Sequence, residues 1–227
     1  MRQQPDDGRG LVLFIHGLWM SASSWDPWAE EFDDNGYDSV TYRWPGETRD
    51  PDRLPAFQGV RLRQLAGQLT SIVGALDRQP IAIGSGIGGL LAQVLVHQGS
   101  ASAAISLAPA PSGLAAATAG LRLVWSSPRL AWAATRSPVV RSLIWPATPP
   151  RHEAAERRGP LLLTAAGRDQ VIHEASVGAL HRRYRRRQPG AVTDYKVFPE
   201  REHSFVVDSG WPAVADYCLD WLTANGL

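Results

Sequence analysis

The chain has 227 residues, 44% hydrophobic and 20% charged, which suits one soluble globular domain, 1–227, with a substantial core. A formal net charge of +1 lacks the basic field that nucleic-acid binding needs. The single cysteine, Cys218, excludes an intrachain disulfide and fits a reducing compartment. Cys218 lies among apolar residues at helical spacing from Val214 to Leu222, so it reads as a buried thiol and not as a nucleophile. Met1 to Gly10 is polar and does not read as a signal peptide, and the apolar runs are broken by Gly, Pro or Arg well short of a membrane span. The expected location is the cytoplasm, with no membrane partner.

In chain order, Leu11 to Ile15 is a short apolar run ending at His16-Gly17, the pattern of a strand buried on both faces. Trp25 to Asn35 predicts a helix stopped near Gly36. Ser39 to Tyr42 predicts a second strand, ended by Trp44-Pro45-Gly46. Val60 to Leu76 carries apolar residues at helical spacing, and Ile81 to Ile83 reads as a third strand. A glycine-rich turn leads to a helix from Gly89 to about His97. Ala103 to Leu107, Leu161 to Ala165 and Tyr195 to Phe198 read as further strands, with a helix after Ala175. This alternation predicts an α/β fold of three layers, with about six mostly parallel strands covered by helices on both faces. The segment 109–159, with Trp125, Trp132, Trp145 and several prolines, interrupts it and is expected to be a small helical cap.

Three positions carry the chemistry. Ile81 to Leu91 has the strand–turn–helix pattern of a nucleophile elbow, G-x-S-x-G. Gly84 and Gly88 occupy the flanking small positions, which places Gly86, and not a serine, at the nucleophile position. A register shifted by one, with Ser85 as nucleophile, would put Ile83 and Ile87 where only small residues fit. The second position is Asp169, after the strand Leu161 to Ala165, where an acid can orient an imidazole. The third is His203, just past the last strand, as general base. Elbow, acid, histidine is the chain order of a known fold.

With these residues in place, the chain resembles the α/β-hydrolase superfamily, and is most similar to its bacterial soluble, esterase- and lipase-like members. The resemblance rests on His16-Gly17-Leu18-Trp19, Ser23-Ser24-Trp25, Pro27-Trp28, Tyr42 to Gly46, Ile83 to Gln93, Gly159 to Leu163, Gly167-Arg168-Asp169 and Glu202-His203-Ser204. It implies an oxyanion hole made by the backbone N–H groups of Leu18 and Ile87, which do not depend on side chain. It implies a small, largely apolar carbonyl compound or ester as partner, with no cofactor and no metal; Trp19, Trp44, Ser85 and Trp125 are the candidate substrate-binding residues. It also implies that the first one or two strands of larger relatives are missing here.

Relatives carry Gly-His-Ser-x-Gly-Gly where this chain has Gly84-Ser85-Gly86-Ile87-Gly88-Gly89, so the covalent acyl-enzyme route does not carry over. Several readings stand. Gly86 replaces the serine of an esterase by mutation. Or the protein acts without serine, His203 and Asp169 working on water or on a substrate proton in hydrolytic, lyase, isomerase or cyclase chemistry. Or the pocket binds without turnover. Gly84-x-Gly86-x-x-Gly89 also matches a dinucleotide fingerprint, but no Asp or Glu follows between Asp77 and Glu153 to take the ribose. His16 is expected to hold the turn before the oxyanion loop. His97, His152, His173 and His181 show no metal-site spacing, and Arg182, Arg183, Arg185, Arg186 and Arg187 read as a solvated helix end.

Overall fold

The computed structural model describes residues 9–18, 20–47, 62–111 and 158–227. Its strands are β1 (Leu11–Ile15), β2 (Asp38–Tyr42), β3 (Ile81–Ser85), β4 (Ala103–Leu107), β5 (Leu161–Ala166) and β6 (Thr193–Phe198). Its helices are α1 (Asp26–Asp34), entered through a 3-10 turn at Ala22–Trp25, α2 (Leu62–Val73), α3 (Ile87–His97), α4 (Glu174–Arg187) and α5 (Trp211–Ala224). The strands form one six-stranded sheet in the order β2-β1-β3-β4-β5-β6. Every neighbouring pair is parallel, where a mostly parallel sheet was expected.

Strand alternation sorts the apolar side chains onto two faces. Leu13, Ile15, Ala82, Ala104, Leu161 and Leu163 pack against α2, α3 and α4 through Leu65, Leu69, Leu91, Leu95 and Val177. Val12, Phe14, Ile81, Ile83, Ile105 and Leu162 face α1 and α5 through Trp28, Phe32, Val214, Cys218 and Leu222. Phe14 stacks on Trp25 at 4.9 Å and meets Phe32 edge-on at 5.4 Å, so an aromatic cluster fixes α1 on the sheet. The result is a three-layer α/β sandwich.

Most boundaries differ from expectation by a residue or two, and two of these differences have a clear physical reason. Helix α3 begins at Ile87 and not at Gly89, because the strand turns into the helix within one residue. Strand β6 begins at Thr193 and not at Tyr195. Its polar first residues are held by partners: Thr193 accepts from the buried Arg158 guanidinium, and Asp194 accepts the Trp221 indole N–H at 2.7 Å. The expected cap at 109–159 falls largely on residues 112–157, outside the described residues, as do Trp125 and Trp19.

Because all strands run one way, their C-terminal ends share one edge of the sheet, where such folds place their ligands. The loops carrying Leu18, Gly86, Asp169 and His203 all leave from that edge.

Candidate active site

The turn between β3 and α3 is built on close backbone contacts. A Cβ on Gly84 would lie 2.3 Å from the Gly88 backbone, and one on Gly88 only 1.9 Å from the Ile15 carbonyl oxygen. Both positions therefore require glycine. Gly86 differs: it has φ 57° and ψ −115°, while a Cβ there would meet nothing nearer than Gly17 Cα at 3.9 Å. The conformation is one L-residues rarely adopt, yet the space beside it is open. The Gly86 N–H donates to Leu107 O at 3.0 Å, and its carbonyl accepts from Ala110 N–H at 2.8 Å, so the turn is tied to the end of β4. Residue 86 is thus the buried corner of the strand–helix turn, with room beside it for a Cβ.

Ser85 ends β3 with its side chain buried, and among the described residues it makes no hydrogen bond to an imidazole.

The loops after β5 and β6 are bound to each other. Gly167 N–H donates to Phe198 O at 2.9 Å, Arg168 N–H donates to Arg201 O at 2.8 Å, and the Arg168 and Glu200 side chains pair across the gap. This brings Asp169 to His203. Asp169 is fully buried; its Oδ1 accepts the Val171 and Ile172 N–H groups, each at 2.7 Å, which leaves Oδ2 to accept the His203 Nδ1 proton at 2.8 Å. The ring's Nε2 has no partner among the described residues, and the His203 side chain is 33% exposed. The histidine loop is anchored from behind: Phe205 is fully buried against Phe198, and the Trp28 indole N–H donates to Val206 O at 2.8 Å.

Among the described residues, neither the Leu18 N–H nor the Ile87 N–H donates a hydrogen bond. Ile87 stands at the first position of α3, where backbone N–H groups have no intrahelical acceptor and the helix dipole favours negative charge. Gly17 abuts the elbow, since a Cβ on it would lie 3.0 Å from Ser85 O.

The sequence matches the profile of the alpha/beta hydrolase family over residues 12–217. The chain belongs to the alpha/beta hydrolase family. Solved structures of similar fold include a monoacylglycerol lipase from Paleococcus ferrophilus, at 17% identity and TM-score 0.67, covering 96% of this chain and 95% of that one. A methylesterase from Arabidopsis is 16% identical with TM-score 0.63, over 94% of this chain and 99% of that one. Thermogutta terrifontis esterase 2 is 16% identical with TM-score 0.65, over 98% and 85%. No curated protein matches the sequence.

Within this alpha/beta hydrolase, Trp44 is buried and packs its ring on His16, 5.3 Å between centroids. His16 is fully buried between the Gly17 carbonyl, 3.0 Å from Nδ1, and Glu47 Oε2, 3.0 Å from Nε2. Burial holds its pKa below the ordinary imidazole value, against the opposing pull of the Gly17 carbonyl and Glu47. Glu47 was missed from sequence: it stands 31 residues from His16, in no motif, and only the fold joins them. Among the described residues no group of three metal-ligating side chains gathers, and no helix is long and apolar enough to cross a membrane.

Proposed function

We propose that this alpha/beta hydrolase turns over a small, largely apolar ester or related carbonyl compound without a side-chain nucleophile. The observation that carries the reading is the buried Asp169 bonded to His203, on the same sheet edge as an elbow whose corner is glycine. With Nδ1–H held by Asp169, Nε2 is free to take a proton. Nε2 deprotonates a water lodged where a serine hydroxymethyl would stand, and its oxygen adds to the substrate carbonyl. The resulting oxyanion is met by the Leu18 and Ile87 N–H groups. The intermediate then collapses, expelling the alcohol, which takes the proton back from His203. The residue 86 space and the wet side of His203 support this water route over an acyl-enzyme.

The test is turnover of a panel of short-chain p-nitrophenyl esters. Steady hydrolysis without a pre-steady-state burst is expected, abolished by His203→Ala. A Gly86→Ser variant should add a burst of one equivalent of nitrophenol. Hydrolysis unaffected by His203→Ala would overturn the histidine mechanism. A second reading, binding without turnover, draws on the same Gly86, since glycine at φ 57° removes the strain a serine would bear there. Saturable binding of a short-chain ester that is never hydrolysed would favour it.

A further inference from the structure

We infer that Glu47, acting through His16, is a positioning residue for the Leu18 backbone N–H. This rests on the proposed role of that N–H as an oxyanion donor. A peptide unit is planar and trans, so the Gly17 carbonyl and the Leu18 N–H share one plane and point opposite ways. Whatever fixes the carbonyl aims the N–H. The Gly17 carbonyl oxygen lies 3.0 Å from His16 Nδ1, whose proton it accepts. Both ring nitrogens face oxygens, Gly17 O at Nδ1 and Glu47 Oε2 at Nε2, so the ring is held from both sides.

Glu47 gives the ring its fixed orientation, and is itself fixed. Its side chain is 2% exposed. Its Oε1 accepts the Ala22 N–H at 2.7 Å and its Oε2 accepts the Trp44 N–H at 3.0 Å, while Arg43 stands 4.0 Å from Oε1. One carboxylate therefore ties the β1 loop to the segment entering α1 and to the segment leaving β2. Trp44 closes the face of the imidazole. The arrangement parallels the Asp169–His203 pair across the sheet edge: a buried acid sets a histidine, but here the histidine sets a peptide plane instead of taking a proton from substrate. Oxyanion donors act by being aimed before charge develops, so loosening one lowers kcat more than substrate binding.

The experiment compares Glu47→Ala and Glu47→Gln with the parent by ¹⁵N relaxation of the Leu18 and Ile87 amides, and by kcat and KM for p-nitrophenyl butyrate in the Gly86→Ser background. In Glu47→Ala the Leu18 order parameter is expected to fall from about 0.85 toward 0.6, with Ile87 unchanged as internal control. Its kcat should fall about tenfold or more, as loss of a well-aimed oxyanion donor does, at nearly constant KM. Glu47→Gln should leave Leu18 between the parent and Glu47→Ala in rigidity, because the carboxamide still accepts from Ala22 and donates to Nε2, but its NH₂ then opposes the Trp44 N–H. If Glu47→Ala does not fold, Glu47→Asp, retracted by one methylene, carries the same expectation. Leu18 staying rigid in a folded Glu47→Ala or Glu47→Asp protein would overturn the inference. A Gly86→Ser parent without turnover would count against the proposed ester chemistry alone, since the Leu18 amide still decides the role of Glu47.

Discussion

At the scale of single residues, the elbow separates two demands that glycine can meet. Gly84 and Gly88 are glycine for lack of room; Gly86 is glycine at a strained dihedral with room to spare. Substitutions should split accordingly. Gly86→Ala and Gly86→Ser should each cost about 1–3 kcal/mol, the price of the backbone conformation alone. Gly88→Ala drives a Cβ into the Ile15 carbonyl and should cost more than about 3 kcal/mol or prevent folding. Urea unfolding of the three variants checks the ranking; equal losses at 86 and 88 would mean that the turn relaxes freely. Asp169→Asn tests the other half of the site. The amide oxygen stays with the Val171 and Ile172 N–H groups, so the NH₂ faces Nδ1, the imidazole takes the wrong tautomer, and turnover should fall about 10³–10⁴-fold by analogy with other triads. Kinetics alongside thermal unfolding would show whether the loss is chemical or structural.

These residue-level features were unevenly legible in the sequence. Gly84, Gly88, Asp169 and His203 stand out because steric need and chain order leave a pattern. Glu47 leaves none: a lone glutamate after Pro45-Gly46 looks like any surface turn residue, and its burial follows only from β2 lying beside β1. Trp44 reads from sequence as a candidate substrate-binding residue, and its contact with the His16 imidazole is legible only in the fold.

At the scale of elements, the strands announced themselves where both faces are apolar. Ala103 to Leu107 and Leu11 to Ile15 have the bounds that the apolar runs imply. The apolar pattern of β6 starts two residues late because Thr193 and Asp194 are polar and satisfied by tertiary partners, which hydropathy does not record. The loop after β6 shows how an element places chemistry. Among the described residues His203 is bonded directly only to Asp169, and its loop is further held by the Arg168–Arg201 backbone bond, by buried Phe205 and by the Trp28–Val206 bond from α1. Trp28→Phe keeps most of the aromatic packing but strands the Val206 carbonyl. The expected cost is about 1–3 kcal/mol of stability. Loss of definition in this loop should also broaden the His203 imidazole resonances. A stability loss with unchanged His203 resonances would show that the loop does not rely on α1.

At the scale of the whole molecule, two apolar layers clamp one parallel sheet, and Cys218 reports on one of them. It projects from α5 into the layer shared with Phe14, Ile83 and Ile105, is fully buried, and burial pushes its thiol well above the ordinary value. As the only cysteine, it is a probe of that layer without background. Thiolate is the reactive form, so in the native state both access and ionisation oppose modification. Labelling by 5,5′-dithiobis(2-nitrobenzoate) should therefore be negligible in buffer and should follow the same urea midpoint as the far-ultraviolet signal, since exposing Cys218 means lifting α5 off the sheet. If α5 detaches as a separate unit, labelling would instead begin at urea concentrations where the helical signal is still native-like. That result would place the closing helix, and the histidine loop that leads into it, among the least stable parts of the fold.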